Sequence, residues 1–308
     1  MSDDGFNPYE WHVGDPEDWG DSIGVPDIPY MGYINNGDDE NERPPDKPSV
    51  ARDQMLARQA LELESEGRYE KALDLINREL AINPNRSNNW NVKAIILDNW
   101  GRNEEALEFY DRSLAIRDSS VVRGNKAQCL YRIAKNHAYS YSSTRHDLDI
   151  INEALKILPD DDGRNDYIRV KGMILDSLGC QVQAKKCFFL AAGMFDSIKE
   201  LERKEEFIKS SSDILINVAG TKFHKSSIKI RKDDYVDLIK EPDNVHDHDA
   251  IRVEFKGETV GYVGNSSQTV PDGITSASDI QDRFSDKAKA WILFRYLDHY
   301  LIAKLIPQ

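Results

Sequence analysis

The sequence predicts an α+β multidomain chain: an all-α solenoid of helical repeats followed by a small β-barrel, with a mostly irregular acidic segment ahead of both. Three observations carry this reading. A block of 34 residues repeats without a gap, the hydrophobic period switches from helical to two near Asp213, and acids and prolines crowd the first 50 residues.

At 308 residues the chain has room for two domains with cores of their own, because single domains usually run to about 100–200 residues. A hydrophobic content of 40% with 31% charged residues fits globular domains with charged surfaces. No apolar run approaches the roughly 18 residues that a membrane span needs, and the opening MSDDGFNPYE lacks the basic-then-apolar order of a secretory signal. An intracellular, cytoplasmic protein with no membrane partner is therefore expected. Cys129, Cys180 and Cys187 are odd in number and form no CxxC pair, which argues for free thiols and against a disulfide framework or zinc ribbon.

Residues 1–50 are read as the acidic irregular segment and linker. They carry 13 Asp/Glu against Arg43 and Lys47, a net of −11 of the chain's −14, and seven of its 12 prolines. No helical or strand period runs through them. Trp11, Trp19, Tyr30 and Tyr33 are more aromatic than a solvating tail needs, so docking on another domain or a partner stays open beside disorder. With this segment set aside the remainder sums to only about −3, which leaves room for a local basic face on an otherwise acidic chain.

Residues 51–211 form the repeat region. Residues 53–86 align with 87–120 so that Gly67 falls on Gly101, Ala72 on Ala106, Leu80 on Leu114 and Ile82 on Ile116. Each unit splits around its Gly into two amphipathic helices, with Trp90, Ala94 and Leu97 on one face and Ala106, Tyr110 and Leu114 on its partner. A third, irregular unit runs over about 121–161 with roughly seven extra residues near NHAYSYSS. A fourth covers 162–194 with Gly172, Gly179, Ala184 and Ala191, and an amphipathic stretch at 195–211 has the character of a capping helix. This pattern, with Pro84 closing the first unit, resembles the tetratricopeptide repeat family. The resemblance implies a groove lined by the first helix of each pair, here with Asn88, Asn91, Asn99, Arg132 and Arg169, that binds an unidentified protein or peptide.

Residues 212–308 form the barrel region. ILINVAGTKF, YVDLIK, AIRVEF, TVGYV, KAWILFRY and YLIAKLI are short, rich in β-branched and aromatic residues, and separated by turn signals such as Lys256-Gly257 and 297–299, which gives six strands. Gly261 inside the fourth marks a bulge or a close backbone approach. In EPDNVHDHDA, His246, Asp247, His248 and Asp249 are all metal-ligand types. In an extended chain, however, the two His would point to one side and the two Asp to the other. A turn closed by Asp243 and Asn244 is the simpler reading, and no metal is expected.

Gly220, Glu241-Pro242, Asn244, Asp247, Ala250-Ile251 and Gly261-Tyr262-Val263, in this order, resemble the HIRAN domain, a small OB-like β-barrel. The resemblance implies capture of a single-stranded DNA end, with bases stacked on aromatic rings and the terminal hydroxyl held by polar groups. Carried over residue by residue, it points to Lys222 and Phe223 after the first strand and to His246, a weaker stacking ring, with Asp247. The basic residue expected soon after the Gly-Tyr-Val strand is missing from GNSSQT. Lys225, Lys229 and Arg231 supply a basic run without acids, whose competing reading is the charged guard of an exposed strand edge. Phe223 competes as a core side chain. No GxxxxGK[ST], HExxH or GxSxG occurs, so neither an enzyme nor a cofactor is expected. The expectation is a non-enzymatic adaptor, with a purely protein-interacting scaffold as the alternative.

Overall fold

The computed structural model describes residues 48–140, 142–158, 163–224, 229–266 and 269–307; the acidic segment and Lys225 lie outside these. The described residues divide into two compact units, one ending at Gly193 and one beginning at Met194.

The first unit contains α1 (Pro48–Ser65), α2 (Tyr69–Ile82), α3 (Ser87–Asn99), α4 (Asn103–Ile116), α5 (Ser120–Tyr139), α6 (Arg145–Ile157), α7 (Arg164–Ser177) and α8 (Gln181–Ala191). Each helix packs on the next, and α1 also meets α3, α3 meets α5, and α5 meets α7. The first helices thus form one continuous wall, as expected of tetratricopeptide-type hairpins. The repeating Gly has a backbone reason. Gly67, Gly101 and Gly179 sit at φ 71°, 83° and 77°, and the following N–H groups of Arg68, Arg102 and Cys180 donate to the carbonyls of Leu63, Leu97 and Leu175 at 2.9, 2.9 and 2.8 Å. This closure satisfies the last helical carbonyls and requires a left-handed residue at the turn. The extra residues of the third unit lengthen α5 to 20 residues against 14 for α4, instead of looping out, and a Thr144–Asp147 capping box restarts the chain as α6.

The 34-residue register persists into the third unit as a polar ladder. Asn125 Nδ2 donates to Asn91 Oδ1 at 3.1 Å, and Arg132 Nη2 donates to Asp98 Oδ2 at 2.8 Å, both across 34 positions. Asn99 Nδ2 reaches back to Glu64 Oε1 at 3.0 Å. Burial pushes the Asp98 carboxyl above its usual range even though Arg132 and Asn103 oppose the shift. Between the rungs, Ala94, Ala106 and Tyr110 pack with Leu97 and Cys129 in a fully enclosed core.

The second unit holds α9 (Phe195–Ser210) and the strands β1 (Leu215–Ala219), β2 (Tyr235–Lys240), β3 (Ile251–Phe255), β4 (Glu258–Val263), β5 (Lys287–Tyr296) and β6 (Tyr300–Leu305). All pairings are antiparallel, and the order β1-β4-β3-β2-β5-β6 closes on itself. Inward-facing Ile216, Val218, Leu238, Val253, Val260, Ile292 and Ala303 fill the interior. The helix expected to cap the repeats packs on the barrel within its unit: Phe207 meets Phe294 edge-on at 5.8 Å, and Ile208 fills the space beside Gly273. Both readings of Gly261 hold. The β3–β4 register shifts next to it, and a Cβ there would stand 2.3 Å from the Ala219 carbonyl oxygen.

Candidate nucleic-acid interface

Gly220 at φ 75° lets the chain leave β1 sharply into a 3-10 turn, Thr221–Phe223, closed by Phe223 N–H donating to the Gly220 carbonyl at 3.0 Å. That turn throws the Phe223 ring outward. It is 77% exposed, which removes the core reading, and Lys222 Nζ stands 5.1 Å from its centroid. The pair forms one lip of a wide cleft of about 1350 Å³, whose walls also include Arg231, Lys232, Phe294 and Arg295. Buried Asn217 sits in its floor, donating to the Thr269 carbonyl at 2.8 Å and accepting from Leu301 N–H at 2.9 Å. The opposite wall depends on a bulge in β5, where the β5–β6 register shifts between Ile292 and Phe294 and re-aims the side chains that follow. The turn at 297–299 places Leu297 and Asp298 at φ 48° and 63° and bonds His299 N–H to the Leu297 carbonyl at 2.7 Å, an i→i+2 closure that is rare and strained. Asp298, His299 and Tyr300 complete that wall.

The four-residue His/Asp stretch is not extended. Asn244 Oδ1 accepts the backbone N–H groups of His246 and Asp247 at 3.0 and 3.3 Å, and Asp247 Oδ1 accepts that of Asp249 at 2.9 Å, so the stretch is a pair of turns. The turn expected here is what the chain forms, closed by the Asn244 and Asp247 side chains, with both His exposed and both Asp half-buried. Asp247 Oδ2 accepts Asn265 Nδ2 at 2.9 Å, Ser278 Oγ donates to Asp249 Oδ2 at 2.6 Å, and His248 Nδ1 faces the Pro242 carbonyl at 3.2 Å. Among the described residues no group of three or more His, Cys, Asp or Glu is placed to hold a metal ion.

Of the residues singled out in the sequence, Lys222, Phe223 and Arg231 line the cleft, while Lys229, His246 and Asp247 do not. Asp247 is nevertheless tied toward it, because its partner Asn265 donates through its backbone to Thr269 Oγ1 at 3.2 Å, and Thr269 borders the cleft. Lysines on a guarded edge no longer explain the basic run, since a closed barrel has no free edge. On the repeats, Asn88, Asn99 and Arg169 are half-buried on first helices. Asn91 is 2% exposed and bonded to Asn125, beyond reach of a ligand, and Arg132 spends its guanidinium on Asp98 and Asn99. Asn217, Phe294, Arg295 and His299, none of them singled out as a nucleic-acid residue in the sequence, also line the cleft, and the aromatic and basic cluster FRYLDHY was the signal for the last three.

The geometry is a small closed barrel with a basic, aromatic-lined cleft. Residues 212–270 match the family model of the HIRAN domain, so the second unit carries one. That match stops before β5 and β6, which supply the cleft's second wall. No curated protein matches the chain. Among solved structures, a double mutant of MamA (MamA RS-1 ArsTM) is 16% identical, covering 50% of this chain and 97% of its own, with a TM-score of 0.34. Residues 41 to the end of MamA from Desulfovibrio magneticus RS-1 give 16%, 50%, 97% and 0.33. Among the described residues no helix is long and apolar enough to cross a membrane.

Proposed function

We propose that this chain is a non-enzymatic adaptor whose HIRAN domain binds single-stranded nucleic-acid ends and whose helical repeats bind a protein segment. The observation that carries the first half is Phe223: a ring 77% exposed beside Lys222 at the lip of a basic cleft. A large apolar ring held in water by a 3-10 turn has no packing role there, whereas base stacking on such a ring contributes about 1–3 kcal/mol. Lys222, Arg231 and Lys232 supply charge for phosphates. Asp247 retains lone pairs on both carboxylate oxygens after its two hydrogen bonds, enough to accept a terminal hydroxyl. The protein-binding half rests on the wall of first helices and on Asn88, Asn99 and Arg169 along it.

A scaffold whose barrel no longer takes nucleic acid draws support from one specific absence, the lack of Lys or Arg in GNSSQT after β4. Fluorescence anisotropy of the full chain with labelled single strands, bearing either a free or a phosphate-blocked 3′ end, separates the two. Tighter binding of the free end supports the proposal; equal binding of both removes end capture, and no binding at low salt leaves the scaffold.

A further inference from the structure

We propose that the nucleic-acid site does not end at the Phe223 cleft but continues along the outer face of β2 and β5 beside α9, as a second aromatic and basic segment that holds the nucleotides next to the captured end. This rests on the end-binding reading above and extends it from a terminal nucleotide to a run of single strand. A smaller groove of about 400 Å³ lies between α9 and the barrel and shares Glu200, Lys204, Lys232, Leu293 and Phe294 with the main cleft, so the two form one continuous surface. Its remaining walls are Arg203, Phe207, Asp233 and Trp291. Strand register sets Tyr235 directly across from Trp291, and Tyr235 is 58% exposed. Rings therefore continue from Phe223 through Phe294 to Trp291 and Tyr235.

Cations accompany the rings. Lys204 Nζ lies 5.8 Å from the Phe294 centroid and pairs with Glu200, while Arg203 is exposed on the same helix. From Met194 onward the sequence has 17 Lys/Arg against 20 Asp/Glu, a net of −3. The cleft and groove together hold six Lys/Arg (Arg203, Lys204, Lys222, Arg231, Lys232, Arg295) against Glu200, Asp233 and Asp298, a net of +3. Such a reversal of sign on an acidic unit, interleaved with aromatic rings, selects a polyanion with exposed flat faces. Single-stranded nucleic acid is that ligand, because in a duplex the bases are stacked on one another and cannot reach the rings.

The test uses the full chain and labelled single strands with free 3′ ends, of about three and about ten nucleotides, the longer within the range a barrel of this size spans. The longer strand is expected to bind at least about ten-fold tighter, a gain that one added stacking contact supplies, and with a steeper salt dependence. Trp291→Ala and Arg203→Glu should each remove much of that gain while leaving the short strand's affinity unchanged. Arg203 is exposed on α9, so its variant reads the groove even if Trp291→Ala disturbs β5. A short strand that binds with no gain at greater length, or an Arg203→Glu chain that holds the longer strand as tightly as before, overturns this inference alone. Failure of both lengths to bind overturns the end-binding reading and this one with it.

Discussion

Replacing Arg132 with Leu would leave the Asp98 carboxylate buried without its cation. Asp98 is 2% exposed, and its carboxylate accepts from Arg132 at 2.8 Å and from Asn103 Nδ2 at 2.6 Å. Breaking a buried pair from one side costs about 3–5 kcal/mol. Since the Asn103 donor stays in place, the lower end, about 3 kcal/mol, applies, a large share of the roughly 5–15 kcal/mol that holds a domain together. At about 2–4 °C per kcal/mol for a unit of this size, melting of the helical signal should fall by about 6–12 °C at neutral pH. The pH dependence follows from the direction of the Asp98 shift. Burial holds the folded carboxyl above its unfolded value, so between the two values the folded chain binds more protons there, and this group favours folding increasingly as pH falls. Losing Arg132 raises the folded value further. The deficit should therefore shrink as pH falls from neutral toward acid, and Asp98→Asn placed in the same chain should recover most of it at neutral pH. Thermal melts followed by circular dichroism read all three chains. An Arg132→Leu chain that melts within about 1 °C of the parent, or a deficit indifferent to pH and to Asp98→Asn, would refute the ladder as the tie between the second and third repeats.

Gly261→Ala places a Cβ 2.3 Å from the Ala219 carbonyl oxygen at a φ of 155°, so β1 and β4 must part; overpacking and backbone strain together should cost about 3 kcal/mol or more, read as lost amide protection at 217–219 and 261–264. Phe223→Ala should leave the melting temperature unchanged, because the ring is 77% exposed, while weakening single-strand binding about 5- to 150-fold; a stability loss with unchanged affinity would return Phe223 to a packing role. His246→Tyr supplies a larger stacking ring on an exposed turn and should tighten end binding several-fold in anisotropy titrations, whereas no change would separate the 244–249 turn from the site.

Much of this architecture was legible because single residues had single backbone explanations. Gly67 and Gly101 marked left-handed turns 34 residues apart, Gly179 marked another beyond the irregular third unit, and Gly261 marked a place where only a hydrogen fits. What escaped the sequence depended on partners far along the chain. The apolar side of α9 looks the same whichever surface covers it, and within its unit Phe207 meets Phe294 and Ile208 lies beside Gly273. Asn91 read as a groove residue because its helix face was right, but Asn125 at the next repeat closes over it. Alternation along KAWILFRY cannot give the faces of Phe294 and Arg295, since the bulge between Ile292 and Phe294 resets the period within β5. The turn at the His/Asp stretch, by contrast, was legible, because an Asn side chain such as that of Asn244 closes onto the backbone N–H groups that follow it.

On the proposed function, the barrel's cleft is where a single strand binds. Hydrogen–deuterium exchange of the full chain, with and without a saturating single strand of about ten nucleotides, locates the contact without a substitution. Protection is predicted at 220–224, 244–249 and 292–300, with the α1–α8 amides unchanged. Protection confined to the repeats, or spread evenly over both units, would contradict it.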